Sequence, residues 1–274
     1  MTETTALPAL DSPYDVEATA IEDYRRDGHV VLRGVCSYLE IDAYGPVIKD
    51  AAFRFNRETR PLEERETYGK AFLQVPNIWR KDEAVAKFVL AKRFAKIAAD
   101  LLEVPAVRLY HDQALFKEAG GGRTPWHQDM YYWPLDTDRT ITMWMPLVDV
   151  TAEIGSMLFA SGSQKLGFLG EYAISDESEA AFAKMLEERD LEVDTHGALT
   201  AGDATFHDGW VLHAAPPNPT GNLRAVMTVI YYADGTNVVA EVPEYQEADL
   251  RKWLPGCIPG RSAVSELNPL LWPA

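Results

Sequence analysis

Apolar positions change their period about a third of the way along the chain. Over residues 15–27 Val16, Ala20, Ile21 and Tyr24 recur at helical spacing, and Gly28 supplies a stop. HVVLRGV (29–35) reads as a strand. Residues 38–104 read as mostly helical, with one clear amphipathic stretch over 82–102. After Pro105 the pattern shortens. AVRLYHDQALFK, TITMWMPLVDV, SMLFASG, DATFHDGWVLHA and RAVMTVIYYAD are β-rich runs separated by Gly, Pro and Asp clusters. One helix interrupts them over 175–189, with Ser175 as its N-cap. Residues 1–14 read as a flexible tail, and the chain from Glu241 reads as Pro-rich and irregular.

Helices first and short strands afterwards predict a mainly β fold with α elements. The expected architecture is a double-stranded β-helix, or cupin-like jelly roll, with helices of the N-terminal third packed outside. At 274 residues the expectation is one domain over 15–274. A composition 47% hydrophobic and 11% aromatic can bury a large core, which argues against disorder.

Lys and Arg number 26 against 42 Asp and Glu, a formal charge of −16. That field repels phosphate backbones and anionic headgroups, so neither nucleic acid nor a membrane surface is expected as partner. Cys36 and Cys257 read as free thiols of a reducing compartment. With no readable signal peptide and no apolar run of about 18 residues, a cytoplasmic protein is expected.

Candidate chemistry concentrates in TPWHQDMYYWP (124–134). In extended chain, residues i and i+2 share a face, so His127 and Asp129 can converge on one ion while Gln128 turns away. His213, ending the run ATFHDGWVLH, offers a third donor. Two imidazoles and one carboxylate leave three octahedral positions open, as in non-haem iron(II) oxygenases. Each residue alone has a plainer reading: a chance His-x-Asp pair, or a strand-end histidine bonded to a loop carbonyl. Arg224 lies eleven residues beyond His213 across a turn, in an otherwise apolar strand. Its planar fork suits a carboxylate, either a ligand's or one of the chain's own.

In combination these motifs resemble the phytanoyl-CoA dioxygenase family of iron(II)- and 2-oxoglutarate-dependent enzymes. The matching features are W-H-Q-D at 126–129, G-W-V-L-H at 209–213 and Arg224. YRRDGHVVLRGV (24–35), IGSMLFASGSQK (154–165) and LPGCIPGRSAVSELNPLL (254–271) add to them. The resemblance implies His127, Asp129 and His213 as catalytic iron ligands and Arg224 as anchor of 2-oxoglutarate. It places Trp144 and Gln113 along the cosubstrate, and Lys70 near a further contact. It also implies iron(II), 2-oxoglutarate and O2 as the reaction's cofactors, ascorbate as an accessory reductant, and succinate and CO2 as co-products. Hydroxylation of an unactivated C–H is the default. Desaturation, epimerisation or cyclisation in secondary metabolism use the same residues, and halogenation is disfavoured because Asp129 is present.

Two other classes compete: a non-catalytic cupin-like binding protein, and a zinc hydrolase, which would leave Arg224 unexplained. The Gly-rich segment 120–122 lacks the Lys-Ser/Thr of a phosphate loop. His111 and His207 read as buried hydrogen-bonders, Asp203 and Asp208 as turn formers, and His29 and His196 carry no role. Most aromatics near the motif read as core. The charge balance points to a small-molecule substrate other than a coenzyme A ester.

Overall fold

The computed structural model describes residues 6–151 and 154–273. Two antiparallel sheets face each other, with helices of the N-terminal third packed outside the larger one and the helix over 176–188 packed on the smaller one. The helices are α1 (Ala18–Asp27), α2 (Tyr38–Phe55), α3 (Thr67–Ala71), α4 (Glu83–Val89), α5 (Lys92–Leu102), α6 (Asp176–Glu188) and α7 (Glu247–Trp253). The major sheet contains β1 (His29–Leu32), β2 (Leu73–Pro76), β3 (Val107–Lys117), β5 (Thr140–Pro146), β8 (Ala204–Asp208), β10 (Arg224–Ala233) and β11 (Leu270–Trp272). Its order is β1-β8-β5-β10-β3-β11, with β2 also paired to β3. The minor sheet runs β4-β9-β6-β7, from β4 (Thr124–His127), β6 (Leu158–Ala160), β7 (Val193–Thr195) and β9 (His213–Ala215).

The main core lies between the helices and the outer face of the major sheet. Ile48, Phe88, Phe94 and Ile97 meet Leu109, Met143, Phe206 and Val229 there, all essentially inaccessible. Alternation along β3, β5 and β10 then turns the intervening side chains toward the space between the sheets. Unlike a half-solvated strand, β5 is buried at every position because both faces are covered.

Local signals explain the element ends. Gly28 closes α1 in the left-handed conformation (φ 81°), its N–H donating to the Tyr24 carbonyl. Ser175 caps α6 through a capping box with Ser178. The amphipathic stretch over 82–102 is two helices rather than one. Asp82 caps α4 by accepting from the N–H groups of Ala84 and Val85, and the chain breaks at Leu90 and Ala91 before α5.

Residues 38–104 are mostly helical as expected, with β2 joining the sheet among those helices. Two further expectations are corrected. The flexible tail is held over its described part: Leu10 is buried, the Pro8 carbonyl accepts from Tyr44, and Arg93 donates to Ser12; residues 1–5 lie outside the described residues. The chain beyond 241 is not irregular, because it forms α7 and β11. Both elements are shorter than the window in which periodicity becomes visible. Among the described residues no helix is long and apolar enough to cross a membrane.

Candidate active site

The minor sheet brings His127 and His213 together as register partners at the end of β4 and the start of β9, their ring centroids 4.1 Å apart. α6 secures β4, as the Glu179 carboxylate accepts from the Trp126 N–H at 2.9 Å. Asp129 follows on the first residue of a 3₁₀ turn, so the strand expected through it stops at His127. Gln128 does turn away: its amide donates to the carbonyls of Gly167 and Trp210 and accepts from the Leu169 N–H. Gly209 shapes the turn before His213. Its carbonyl accepts from the Met130 N–H, and a Cβ there would collide with Met130 and Thr140.

Donor atoms of His127, Asp129 and His213 all lie within 4.8 Å of one another. The Nδ1 of His127 is 2.7 Å from the Pro125 carbonyl and that of His213 is 3.0 Å from the Val211 carbonyl. A proton on each Nδ1 satisfies those carbonyls and leaves each Nε2 a lone pair. These Nε2 atoms stand 3.7 Å and 3.9 Å from Asp129 Oδ1. Burial pushes His127 down to about 3 and His213 down to about 4, so both rings are neutral at physiological pH. Burial alone would raise the Asp129 carboxyl, but His213, His207 and His127 outweigh it and hold it well below the usual carboxylate range. Three lone pairs thus converge with no proton between them. A divalent cation fits that donor set in both chemistry and protonation state.

The major sheet braces the other carboxylate oxygen. Thr142 donates to Asp129 Oδ2 at 3.2 Å, and His207 Nε2 lies 3.5 Å from it. Thr142 and His207 are register partners on β5 and β8; His207 is buried as expected, but neither of its ring nitrogens has a hydrogen-bond partner within the protein. Oδ1 is left to face the histidines.

A cavity of about 410 Å³ opens from this cluster between the sheets. Arg224, Trp144, Gln113 and Thr228 line it. Trp144 on β5 and Gln113 on β3 are the register partners of Thr228 on β10, while Arg224 begins β10 on the same face. The Arg224 guanidinium is 2% exposed, lies 5.3 Å from the Trp144 ring centre and donates to the Gly155 carbonyl. Burial pushes it down to about 9. The Gln113 carbonyl of the side chain accepts from Gln74, a cavity residue the sequence reading missed. Lys70 sits on α3 outside the cavity lining, where its backbone carbonyl accepts from Gly122.

The cavity's other side is formed by Tyr68, Phe72, Trp133, Asp249, Lys252 and Trp253. Only Trp133 belongs to a segment whose sequence drew attention, and there it read as core. His111 is also at the cavity, stacked on Trp253 with ring centroids 4.1 Å apart. His29 and His196 lie elsewhere, joined at 3.0 Å between Nδ1 and Nε2, with Ser161 and Asp194 extending the chain of contacts.

A jelly roll holding two histidines, a carboxylate and a buried arginine around one cavity defines the class of iron(II)- and 2-oxoglutarate-dependent oxygenases. The family model described as phytanoyl-CoA dioxygenase (PhyH) matches residues 24–226, and the chain belongs to that family. A relative in Stutzerimonas stutzeri, a "probable alpha-ketoglutarate-dependent hypophosphite dioxygenase", is 24% identical over 202 residues, 71% of this chain and 67% of that protein. The solved carbocyclase SnoK from nogalamycin biosynthesis superposes with TM-score 0.78 at 23% identity, covering 94% of this chain and 99% of that one. The epimerase SnoN, solved with Fe3+, alpha-ketoglutarate and nogalamycin RO, gives TM-score 0.73 at 25% identity, covering 92% and 97%. The protein is an iron- and 2-oxoglutarate-dependent oxygenase that uses O2.

Proposed function

We propose that His127, Asp129 and His213 hold the iron(II), and that Arg224 takes the distal carboxylate of 2-oxoglutarate beside Trp144 and Gln113. The substrate is a free small molecule, neutral or cationic, oxidised at an unactivated C–H within one catalytic domain over 15–274. The bound iron with 2-oxoglutarate and O2 supplies the oxidising power, and succinate and CO2 leave. The chain's own residues bind, orient and exclude water. Arg224 fixes one end of the cosubstrate, and Thr142 keeps Asp129 Oδ1 turned to the metal. The aromatic walls keep bulk water from the reacting centre. The observation that carries this reading is the convergence of the His127, Asp129 and His213 donor atoms on the cavity that also buries Arg224.

Hydroxylation is the leading outcome. The likeness to an epimerase at 25% identity supports a second one, epimerisation by the same residues. Product mass separates them: a gain of 16 for hydroxylation, no change for epimerisation.

The direct test is anaerobic titration with iron(II) and 2-oxoglutarate, which should produce a weak visible charge-transfer band. At a hundredfold excess over its Kd the metal should also stabilise the fold by about 2.7 kcal/mol. His127→Ala, Asp129→Ala and His213→Ala should each remove both effects while folding. Retention of band and turnover by any one of them would show that the ligands lie elsewhere.

A further inference from the structure

Half of the cavity has no task in binding iron or 2-oxoglutarate. That half is built on α7, from which Asp249, Lys252 and Trp253 line the space together with Tyr68 and His111.

Both ends of α7 are clamped. Gln246, 8% exposed and immediately before it, donates through Nε2 to the carbonyls of Met130 (3.4 Å), Tyr131 (3.1 Å) and Trp133 (3.1 Å), which follow Asp129 in the chain. At the far end Asn268 Nδ2 donates to the carbonyls of Trp253 (3.2 Å), Leu109 (3.2 Å) and Tyr110 (3.1 Å). The side chains of α7 therefore stand at fixed positions relative to the metal cluster and to β3, as a recognition surface requires.

The surface they offer is chemically selective. The Trp253 indole and the His111 imidazole stack at 4.1 Å and 21°, which fixes the Trp253 ring in the cavity wall. His111 is 2% exposed, and its Nδ1 has no partner. The Lys252 ammonium lies 4.1 Å from the Trp253 ring centre rather than on Asp249. Asp249 thus has no cation within 4.0 Å among the described residues. Burial pushes its carboxyl up to about 6, against the pull of the Trp253 indole N–H and Lys252, so it is ionised at neutral pH. A half-buried carboxylate at a cavity wall gains from hydrogen-bond donors. Net charge argues for neutral ones. Iron(II) and the 2-oxoglutarate dianion cancel, and Asp129 and Asp249 balance Arg224 and Lys252.

The geometry points to α7 as the substrate-recognition element: Asp249 accepts from hydroxyl groups of a neutral, hydroxylated ring compound whose apolar edge lies against the edge of the Trp253–His111 stack. This rests on the oxygenase reading above and assigns the substrate class for that site.

The test uses the anaerobic iron(II)–2-oxoglutarate complex of the full chain. Its probes are 2,6-dihydroxynaphthalene and 2,6-dimethoxynaphthalene, with binding followed by their fluorescence. Wild type should bind the diol roughly tenfold more tightly than the ether, the scale of one charge-assisted hydrogen bond. Asp249→Ala should shrink that gap to about threefold or less with 2-oxoglutarate affinity unchanged, and Asp249→Asn serves if the alanine chain does not fold. Trp253→Leu should weaken both probes alike. Equal affinity of wild type for diol and ether, absence of binding by either, or a gap that survives at Asp249→Ala overturns the proposal. A missing charge-transfer band in wild type would instead strike the oxygenase reading itself, whereas an intact band without discrimination removes only the role of α7.

Discussion

Lys117 and Arg224 are register partners on β3 and β10, and both are almost wholly buried. The Lys117 amine donates to the Gly122 carbonyl and lies 3.4 Å from Thr124 Oγ1, while the guanidinium donates to the Gly155 carbonyl. Burial pushes Lys117 down to about 6, with Arg224 adding to the effect. With Lys117 mostly uncharged at neutral pH, the desolvated Arg224 guanidinium at the cavity makes the electrostatic demand for an anion. A carboxylate entering from the cavity meets it, and Arg224, unlike Lys117, lines that cavity.

Arg224→Lys keeps the charge and loses the bidentate fork. A buried charge-assisted pair is worth roughly 1.5–3 kcal/mol, so the KM for 2-oxoglutarate should rise by about tenfold or more. Turnover at saturating 2-oxoglutarate should fall far less. An unchanged KM would mean that the arginine holds structure only.

The cluster of His127, Asp129 and His213 with Arg224 nearby, proposed to take metal and cosubstrate, was legible in the sequence because its spacings are short within each pair. His127 and Asp129 are two residues apart, and Arg224 follows His213 across one turn. Even so, the i and i+2 argument held for a different reason at Asp129, which sits on a 3₁₀ turn beyond the strand. The α7 side of the cavity was not legible, and neither was Gln74. Gln74 lies on a four-residue strand inside a stretch that reads as helical, and Asp249, Lys252 and Trp253 lie on a seven-residue helix. The prolines around α7 dominate the reading of that segment. A weak signal existed: Glu247 and Arg251 are spaced for a helical ion pair and form one at 3.0 Å. His29 and His196 are 167 residues apart, and no local pattern can pair them.

Gln246→Ala should separate the two halves experimentally. It removes a buried amide that serves three carbonyls, which should cost about 1–3 kcal/mol in urea unfolding. Because α7 would lose its fixed position, substrate oxidation should become uncoupled from succinate formation, with the KM for 2-oxoglutarate unaltered. Coupled turnover at the wild-type ratio would show that the clamp does not matter to the site.

The His29–His196 pair predicts an acid weakness away from the metal. Burial pushes both rings down to about 4, and in His29 the neighbouring His196 contributes as well. Their folded values lie below the unfolded 6.5, so the unfolded chain binds more protons between about pH 6.5 and 4. Stability attributable to the pair is present above pH 6.5 and is lost as the pH falls through that window. The loss should be on the order of 1–2 kcal/mol per histidine, since His196 is only half-buried. His196→Asn should flatten the dependence of Tm on pH in that window, as measured by calorimetry. A parallel profile for the variant would assign the acid loss to other groups.

The surface field bears on what reaches the cavity. With 42 acidic against 26 basic residues the chain carries −16, and among the described residues Arg224 and Lys252 are the only Lys or Arg side chains on the cavity wall. A coenzyme A thioester brings several phosphate charges that would have to approach through this field. Repulsion slows encounter and weakens binding, most strongly at low ionic strength, because the screening length shortens to about 10 Å only at 0.1 M salt. Three substrates should therefore rank by charge when 2-oxoglutarate consumption is followed: a neutral polycyclic compound first, a free acid next, and the coenzyme A ester of that acid last. Residual turnover of the ester should rise with added salt as repulsion is screened. Efficient turnover of the ester, with rates that fall as salt is added, would show that a local basic patch rather than net charge governs entry.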